Sequence, residues 1–160
     1  KYMFFKRKKE IDVKSSFAGK VVSLENVKDS VFSEKVLGDG IAVSPEDGTL
    51  YAPVSGKVVT IFDTKHAIGF ELKNNITVLM HIGIDTVELG GKGFKLNIKT
   101  GDRVSEGQEI GKIDINYIKS KKKDTITPIL ITNHEKYKIS YEKNKGDTVK
   151  AGETIFKIIL

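Results

Sequence analysis

The sequence contains no cysteine, no tryptophan and only 3 prolines among its 160 residues. The absence of cysteine excludes disulfide bonds, thiolate metal sites and a cysteine nucleophile, and it fits a reducing compartment. No apolar run reaches the length of a membrane span, and no segment has the apolar region of a secretion signal. The sequence therefore predicts a cytoplasmic protein whose length suits a single domain.

The formal net charge of +6 is unevenly distributed along the chain. Residues 1–14 carry six lysines or arginines against Glu10 and Asp12, a balance of +4, so the remaining chain is only +2. A body of this charge without a stacking motif predicts no nucleic-acid partner. The aromatic and basic residues at the start could rest on an anionic membrane surface, and a solvated tail fits equally well. We predict a flexible tail over residues 1–14 and one domain over residues 15–160.

After residue 14 the sequence changes to short runs of Val, Ile and Phe separated by many of the 15 glycines. This texture predicts an all-β domain with at most short helical turns, for which the run Glu25 to Leu37, around VFSEKVL, is the best place. GDRVSEGQEIGKI recurs 45 residues later as GDTVKAGETIFKI with seven identical positions, and FAGKVVSL has a weaker echo in VSGKVVTI. Repeats this short cannot bury their own apolar faces, so we predict a duplicated, interlocked antiparallel β core.

Three further features have structural interpretations. The G-D-x-V-x-x-G repeat resembles half of a biotinyl or lipoyl carrier domain, but no lysine stands in a carrier setting, so the repeat indicates fold rather than function. The segment IKSKKKD, from Ile118 to Asp124, is interpreted as a solvated basic loop. His134 lies among turn formers and charged residues, and we interpret it as an exposed loop histidine without a role.

His66 and His81 are the best candidates for chemistry, because they lie in two apolar runs joined at Asn74-Asn75. Asn tolerates a left-handed backbone, so we predict a hairpin with a two-residue turn there, which would make the histidines diagonal neighbours about 7–8 Å apart. Matching of the apolar residues favours a register shifted by one, which would separate the histidines. A bulge near Ile68–Gly69 would turn His66 back toward His81, and we predict one there. Two unrelated structural histidines remain the alternative on pattern alone.

Four segments in consistent order resemble the glucose-type enzyme IIA component of the bacterial phosphoenolpyruvate-dependent sugar phosphotransferase system. They are VFSEKVLGDGIAVSP, YAPVSGKVVTIFDTKHAIGF, LMHIGIDTVELGGKGF and the final GDTVKAGETIFKI. The resemblance extends from about Phe17 to the end of the chain. It implies a β-sandwich with a shallow two-histidine site, which accepts phosphate from the histidine-containing phosphocarrier protein and donates it to the enzyme IIB domain of a sugar permease.

The resemblance also implies roles for individual residues. His81, in the H-x-G-x-D-T block, would accept the phosphoryl group, His66 would be its partner, and Thr64 would orient His66. Gly83 would supply the backbone carbonyl that holds the other ring nitrogen of His81. The remaining implied positions are an apolar rim and two acidic contacts for basic partners: Phe32, Phe62, Leu79, Val87, Asp29 and Asp85.

The sequence departs from the family pattern at three places. SSFAG stands where a proline usually precedes the glycine, Leu79 replaces a common aromatic residue, and Lys65 replaces a small polar one. The first affects a turn and the second affects the shape of the rim. None of them alters the two histidines, so the transfer chemistry implied by the resemblance stands.

Two other functions compete with the relay. In a zinc metallopeptidase of the lysostaphin type, H-I-G-I-D would supply one ligand pair, but the chain lacks the H-x-H that completes such a site. A regulatory interaction module that has lost the relay is disfavoured by the presence of His66, His81 and Thr64. We expect no required cofactor, although the two histidines could bind zinc adventitiously or with a carboxylate supplied by another protein.

Overall fold

The computed structural model of the chain describes residues 9–160. Within this range there are fourteen strands, two short α-helices and four short 3-10 helices. The strands are β1 (Glu10–Lys14), β2 (Gly19–Ser23), β3 (Asp39–Pro45), β4 (Thr49–Tyr51), β5 (Gly56–Ile61), β6 (Ala67–Glu71), β7 (Thr77–His81), β8 (Phe94–Leu96), β9 (Arg103–Val104), β10 (Glu109–Ile113), β11 (Thr127–Ile131), β12 (Lys138–Tyr141), β13 (Thr148–Val149) and β14 (Thr154–Ile159). The α-helices are α1 (Ser30–Ser33) and α2 (Ile115–Ser120), and the 3-10 helices span Leu24–Asn26, Lys73–Asn75, Thr86–Leu89 and His134–Lys136.

The strands form one large and two small antiparallel sheets. The large sheet has the order β13-β2-β3-β11-β7-β6-β5-β9, and the small sheets have the orders β1-β14-β12 and β4-β10-β8. The all-β prediction is therefore confirmed, and so are the helical turns predicted around VFSEKVL, where α1 lies. No helix between residues 9 and 160 is long and apolar enough to cross a membrane.

The sequence repeats occupy equivalent places in the sheets. β9 pairs with β5 and β13 pairs with β2, so each G-D-x-V repeat joins one of the two G-K-V-V strands. Equivalent hydrogen bonds close the two units: the Gly101 N–H donates to the Val58 carbonyl at 2.7 Å, and the Gly146 N–H donates to the Val21 carbonyl at 2.9 Å. The strong and weak repeats thus belong to one duplication, which confirms the predicted duplicated core.

Side chains of the central strands alternate between two apolar clusters. Ile129 of β11 belongs to the main core, whereas its neighbour Leu130 belongs to a second cluster that includes Phe32 of α1. The second cluster therefore lies on the outer face of the large sheet, where α1 covers it. On β7, Met80 pairs with Ile129 and lies in the main core, so the next residue, His81, faces outward.

The domain boundary predicted at residue 15 is wrong. Glu10–Lys14 does not belong to a flexible tail, because it forms β1 and pairs with β14. Val13 is fully buried in the main core. The first part of the predicted tail, residues 1–8, lies outside the described residues, and so does its membrane contact.

Two further loop interpretations are wrong. The segment Ile118–Asp124 is not a loop throughout, because α2 continues to Ser120 after an N-cap at Asp114. The capping carboxylate accepts a hydrogen bond from a helix N–H at 2.9 Å, which starts the helix. His134 is half-buried at the start of a 3-10 helix rather than exposed in a loop.

Candidate functional site

The two candidate histidines are placed by the hairpin of β6 and β7. Residues Ala67–Glu71 pair with Thr77–His81 without interruption, in the register that matches the apolar residues of the two strands. The connecting turn is Lys73–Asn75, in which Asn74 and Asn75 have φ of 64° and 59°. The left-handed asparagines thus appear where the sequence predicted them. The predicted two-residue turn is wrong, because the loop has three residues.

The prediction of a bulge in β6 near Ile68–Gly69 is also wrong, because β6 pairs with β7 without a register shift. The register shift lies in the neighbouring β5, between Val58 and Thr60, opposite the glycine. His66 instead precedes the regular part of β6, in a turn where Lys65 has φ of 61°. Because the left-handed residue breaks the strand alternation, His66 does not have to face the core as continuation of β6 would require.

The imidazole rings of His66 and His81 meet on the outer face of the large sheet. Their centroids are 4.9 Å apart, with an interplanar angle of 78°. The ring of Phe62 packs edge-on against His66, and the ring of Phe32 packs against His81. His66 is only 3% exposed, and His81 is half-buried. Within residues 9–160, the Nε2 atom of each ring has no hydrogen-bond partner. Neither atom is buried without a partner, so both retain contact with solvent.

The protonation of His81 follows from its backbone partner. The Nδ1 atom of His81 lies 2.7 Å from the carbonyl oxygen of Gly83. A carbonyl only accepts hydrogen bonds, so Nδ1 carries the proton, and in the neutral ring Nε2 carries the free lone pair. Gly83 is buried and holds the His81 ring through its carbonyl, which is the position that the resemblance implied for it.

His66 is held through a side chain. The Oγ1 atom of Thr64 lies 2.6 Å from Nδ1 of His66. Both residues lie in the turn before β6, so this contact is made within the turn and not along a regular strand. Burial and, secondly, the charge of nearby His81 lower the pKa of His66 from 6.5 to about 4. His66 is therefore neutral near pH 7.

The electrostatic environment of His81 has opposing parts. Burial lowers the pKa of His81, whereas the hydrogen bond to Gly83 and the charges of Asp29 and Asp85 act in the opposite direction. Burial is the larger effect, so His81 is also neutral near pH 7 and its Nε2 is nucleophilic. Asp29 has a second role, because its carboxylate caps α1 by accepting from the Val31 N–H at 3.0 Å.

The apolar rim predicted around the histidines is only partly exposed. Phe62 and Val87 are 47% and 50% exposed, and Leu79 is half-buried. Phe32 is 3% exposed, so its assignment to the rim is wrong. It belongs to the buried second apolar cluster, and its ring packs against the His81 ring.

The sequence reasoning missed apolar surface residues next to α1. Val36 and Leu37 are 70% and 39% exposed, and Val31 is 37% exposed. The Val36 N–H donates to the Val31 carbonyl at 3.1 Å, which brings the two valines into one turn. The signal was present in VFSEKVL, which has four apolar residues in seven, more than a four-residue helix can bury on one side.

Within residues 9–160, no group of three or more His, Cys, Asp or Glu side chains could hold a metal ion. The two histidines alone are fewer than the three protein ligands of a catalytic zinc site. The described part of the chain therefore gives no support to the metallopeptidase alternative.

Comparison with known proteins places this site in a family. Residues 11–137 match the family described as phosphoenolpyruvate-dependent sugar phosphotransferase system, EIIA 1. The chain belongs to this EIIA family. It is 40% identical over 136 residues to the PTS system glucose-specific EIIA component of Halalkalibacterium halodurans, covering 85% of this chain and 78% of that protein. Among solved structures, glucose permease IIA from Mycoplasma capricolum matches with a TM-score of 0.88 at 36% identity, over 97% of this chain and 99% of that one.

Larger relatives contain the EIIA region as a small part. The chain is 44% identical over 153 residues to the PTS system glucose-specific EIICBA component of Staphylococcus saprophyticus, covering 96% of this chain and 22% of that protein. It is 53% identical over 115 residues to the PTS system glucoside-specific EIICBA component of Staphylococcus carnosus, covering 72% of this chain and 17% of that protein. The match to the solved EIIA structure confirms the predicted β-sandwich.

Proposed function

We propose that this EIIA chain is a phosphoryl relay in sugar uptake. Nε2 of His81 accepts the phosphoryl group from the histidine-containing phosphocarrier protein and donates it to the EIIB domain of a glucose-type permease. The observation that carries the proposal is a neutral His81 whose Nδ1 proton is held by the Gly83 carbonyl at 2.7 Å, beside a second imidazole. Relatives named EIICBA support an EIIB partner.

The transfer needs no proton movement at His81. The lone pair of Nε2 forms the new bond to phosphorus while the phosphorus–nitrogen bond of the donor breaks and its electron pair returns to the donor imidazole. Nδ1–H stays in place, and the Gly83 carbonyl stabilises the positive charge that the ring acquires. Donation reverses these changes, because Nε2 leaves with its electron pair and the ring becomes neutral again.

We assign His66 to the stabilisation of the phosphoryl oxygens. In a neutral ring whose Nδ1 accepts from the Thr64 hydroxyl, Nε2 carries the proton and can donate a hydrogen bond. The transition state of phosphoryl transfer is loose, with its charge on the equatorial oxygens, so such a donor lowers the barrier.

Docking would be brief, because the chain must exchange a donor for an acceptor in each cycle. Phe62, Leu79 and Val87 would supply a small apolar contact, while Asp29 and Asp85 would meet basic residues of the partners. The relay draws its phosphate from phosphoenolpyruvate, an intracellular metabolite, so we place it in the cytoplasm. It requires no cofactor. Zinc could bind His66 and His81 adventitiously, which metal analysis of the purified chain tests, or together with a carboxylate from another protein.

The decisive experiment is phosphorylation of the chain by phosphoenolpyruvate and the two upstream phosphotransferase proteins. We expect an acid-labile phosphate that mass spectrometry of peptides locates on His81 and that is absent from the His81→Gln chain. A wild-type chain that remains unphosphorylated would favour the regulatory interaction module. Phosphate on the variant would show that the acceptor is another residue.

His66→Gln separates acceptance from donation. We expect the variant to accept phosphate and to pass it to an EIIB domain about 10²–10³ times more slowly, which is the usual effect of removing one transition-state donor. Rapid-quench measurement of transfer to EIIB gives the rate. Donation at the wild-type rate would show that the assigned role of His66 is wrong.

A further inference from the structure

The carbonyl of Gly83 is aimed at His81 by the peptide units on both sides of the glycine. The carbonyl of Ile82 accepts a hydrogen bond from the Thr86 hydroxyl at 2.6 Å. The N–H of Ile84 donates to the Asp124 carbonyl at 3.0 Å, in an isolated antiparallel bridge. The Ile84 N–H and the Gly83 carbonyl belong to one planar trans peptide, so they point in opposite directions. Fixing the N–H toward Asp124 therefore directs the carbonyl to the opposite side, toward His81.

The space beside Gly83 is closely packed. Gly83 has φ of 78°, and a Cβ atom there would lie 2.5 Å from Cγ2 of Thr86 and 2.7 Å from the Asp124 carbonyl oxygen. The methyl group of Thr86 and the backbone of Asp124 thus pack directly against Gly83. Thr86 is fully buried, so its hydroxyl has no water to replace the Ile82 carbonyl.

The segment behind the glycine is itself anchored. The Asp124 carboxylate accepts from the Ile126 N–H at 2.9 Å, which fixes the start of the connection into β11. The Lys123 ammonium lies 2.7 Å from the carboxylate of Glu88. Glu88 lies on the same 3-10 helix as Thr86. The end of the basic segment Ile118–Asp124 therefore contacts the 3-10 helix that follows Gly83.

We propose that Thr86 is a positioning residue for phosphoryl transfer, which acts with the backbone of Asp124 to hold the Gly83 carbonyl against Nδ1 of His81. The hydrogen bond made by one ring nitrogen decides which nitrogen carries the proton. If the carbonyl can turn away, the proton distributes over both nitrogens, and a ring protonated on Nε2 has no lone pair with which to attack phosphorus. The consequence for transfer rests on the proposed function, whereas the consequence for the proton does not.

The test compares two buried threonines. Thr86→Val removes the hydroxyl at nearly constant volume. Thr127→Val is the matched control, because Thr127 is also fully buried and its hydroxyl donates to the Thr125 carbonyl at 3.0 Å rather than to the Ile82 carbonyl. Thr86→Ser keeps the hydroxyl, and Thr86→Ala replaces the valine variant if that chain does not fold.

The first readout is nitrogen NMR of the His81 ring in the unphosphorylated protein at pH 8. We expect the wild type, Thr127→Val and Thr86→Ser to carry the proton on Nδ1, and Thr86→Val to show a substantial population with the proton on Nε2. The second readout is the rate of phosphate acceptance, which we expect to fall about tenfold in Thr86→Val only, as for loss of one hydrogen bond.

An Nδ1 proton retained in Thr86→Val would overturn the inference, and so would the same proton shift in Thr127→Val, which would indicate a general effect of lost stability. If the wild type accepts no phosphate on His81, the proposed function fails. The proton positions in the variants still decide the inference in that case, so the two failures are distinguishable.

Discussion

At the residue scale, the proposed role of His66 as a hydrogen-bond donor to a phosphoryl group depends on the hydroxyl of Thr64. Thr64→Val removes the hydroxyl that lies 2.6 Å from Nδ1 of His66 and keeps the side-chain volume. We expect donation to EIIB to slow about 10- to 100-fold, because the ring loses both its orientation and its defined tautomer. Thr64→Ser should restore most of the rate. Rapid-quench transfer measures the effect, and a valine variant with the wild-type rate would contradict it.

Burial of a neutral histidine also makes stability depend on pH. The pKa of His66 is lowered from 6.5 to about 4 in the folded chain. Below pH 6.5 the unfolded chain binds more protons than the folded one, so the stabilisation is complete above pH 6.5 and is lost as the pH falls toward 4. We expect wild type to lose about 2–3 kcal/mol from this residue between pH 7.5 and 4.5. Urea unfolding of wild type and His66→Gln measures it, and parallel pH profiles would show that His66 does not contribute.

Some site residues could be predicted from the sequence and others could not, for physical reasons. His66, His81 and Thr64 stand in blocks whose spacing is visible in one dimension. Thr86 was not singled out, because its hydroxyl bonds to a carbonyl four residues earlier only when the chain turns through left-handed residues between them. Apolar periodicity carries no information about such a turn. The same applies to Lys65, whose positive φ replaces the predicted bulge.

At the scale of elements, β1 is part of the domain although three of its five residues are charged. Val13 is fully buried, whereas Lys9, just before the strand, is exposed. Val13→Ala should therefore lower the free energy of unfolding by about 2 kcal/mol, through lost burial and a residual cavity. Lys9→Ala should change it by less than about 0.5 kcal/mol. Urea denaturation decides, and equal effects would return residues 10–14 to a tail.

Whether an element could be predicted from the sequence depended on its burial and its length. The two G-D-x-V repeats were readable because each combines a fixed turn with a buried valine, and Val104 and Val149 are both buried. β1 was missed because an edge strand of a small sheet places its charged residues in solvent on one face. α2 was missed because six residues are too few to show a helical period.

At the scale of the whole molecule, net charge and local charge have opposite signs at the site. The chain carries a formal net charge of +6, yet Asp29 and Asp85 are the charges that act on His81. A basic partner would be repelled by the net charge of the chain and attracted by these two carboxylates near the site. Charges farther apart than about 8–10 Å are largely screened at physiological salt, so the local carboxylates should dominate the final approach.

Asp85→Asn tests this balance. Asp85 is exposed and has φ of 58°, a conformation that asparagine tolerates equally well, so the fold should be unaffected. We expect phosphate acceptance at low protein concentration to slow about 3- to 10-fold in low salt, because steering of the basic partner is weakened, and the difference should vanish near 0.5 M salt. Glu109→Gln is the control, since this exposed carboxylate lies on β10 in another sheet. If both variants slow acceptance equally, the effect follows net charge, and the acidic contacts proposed at the rim are wrong.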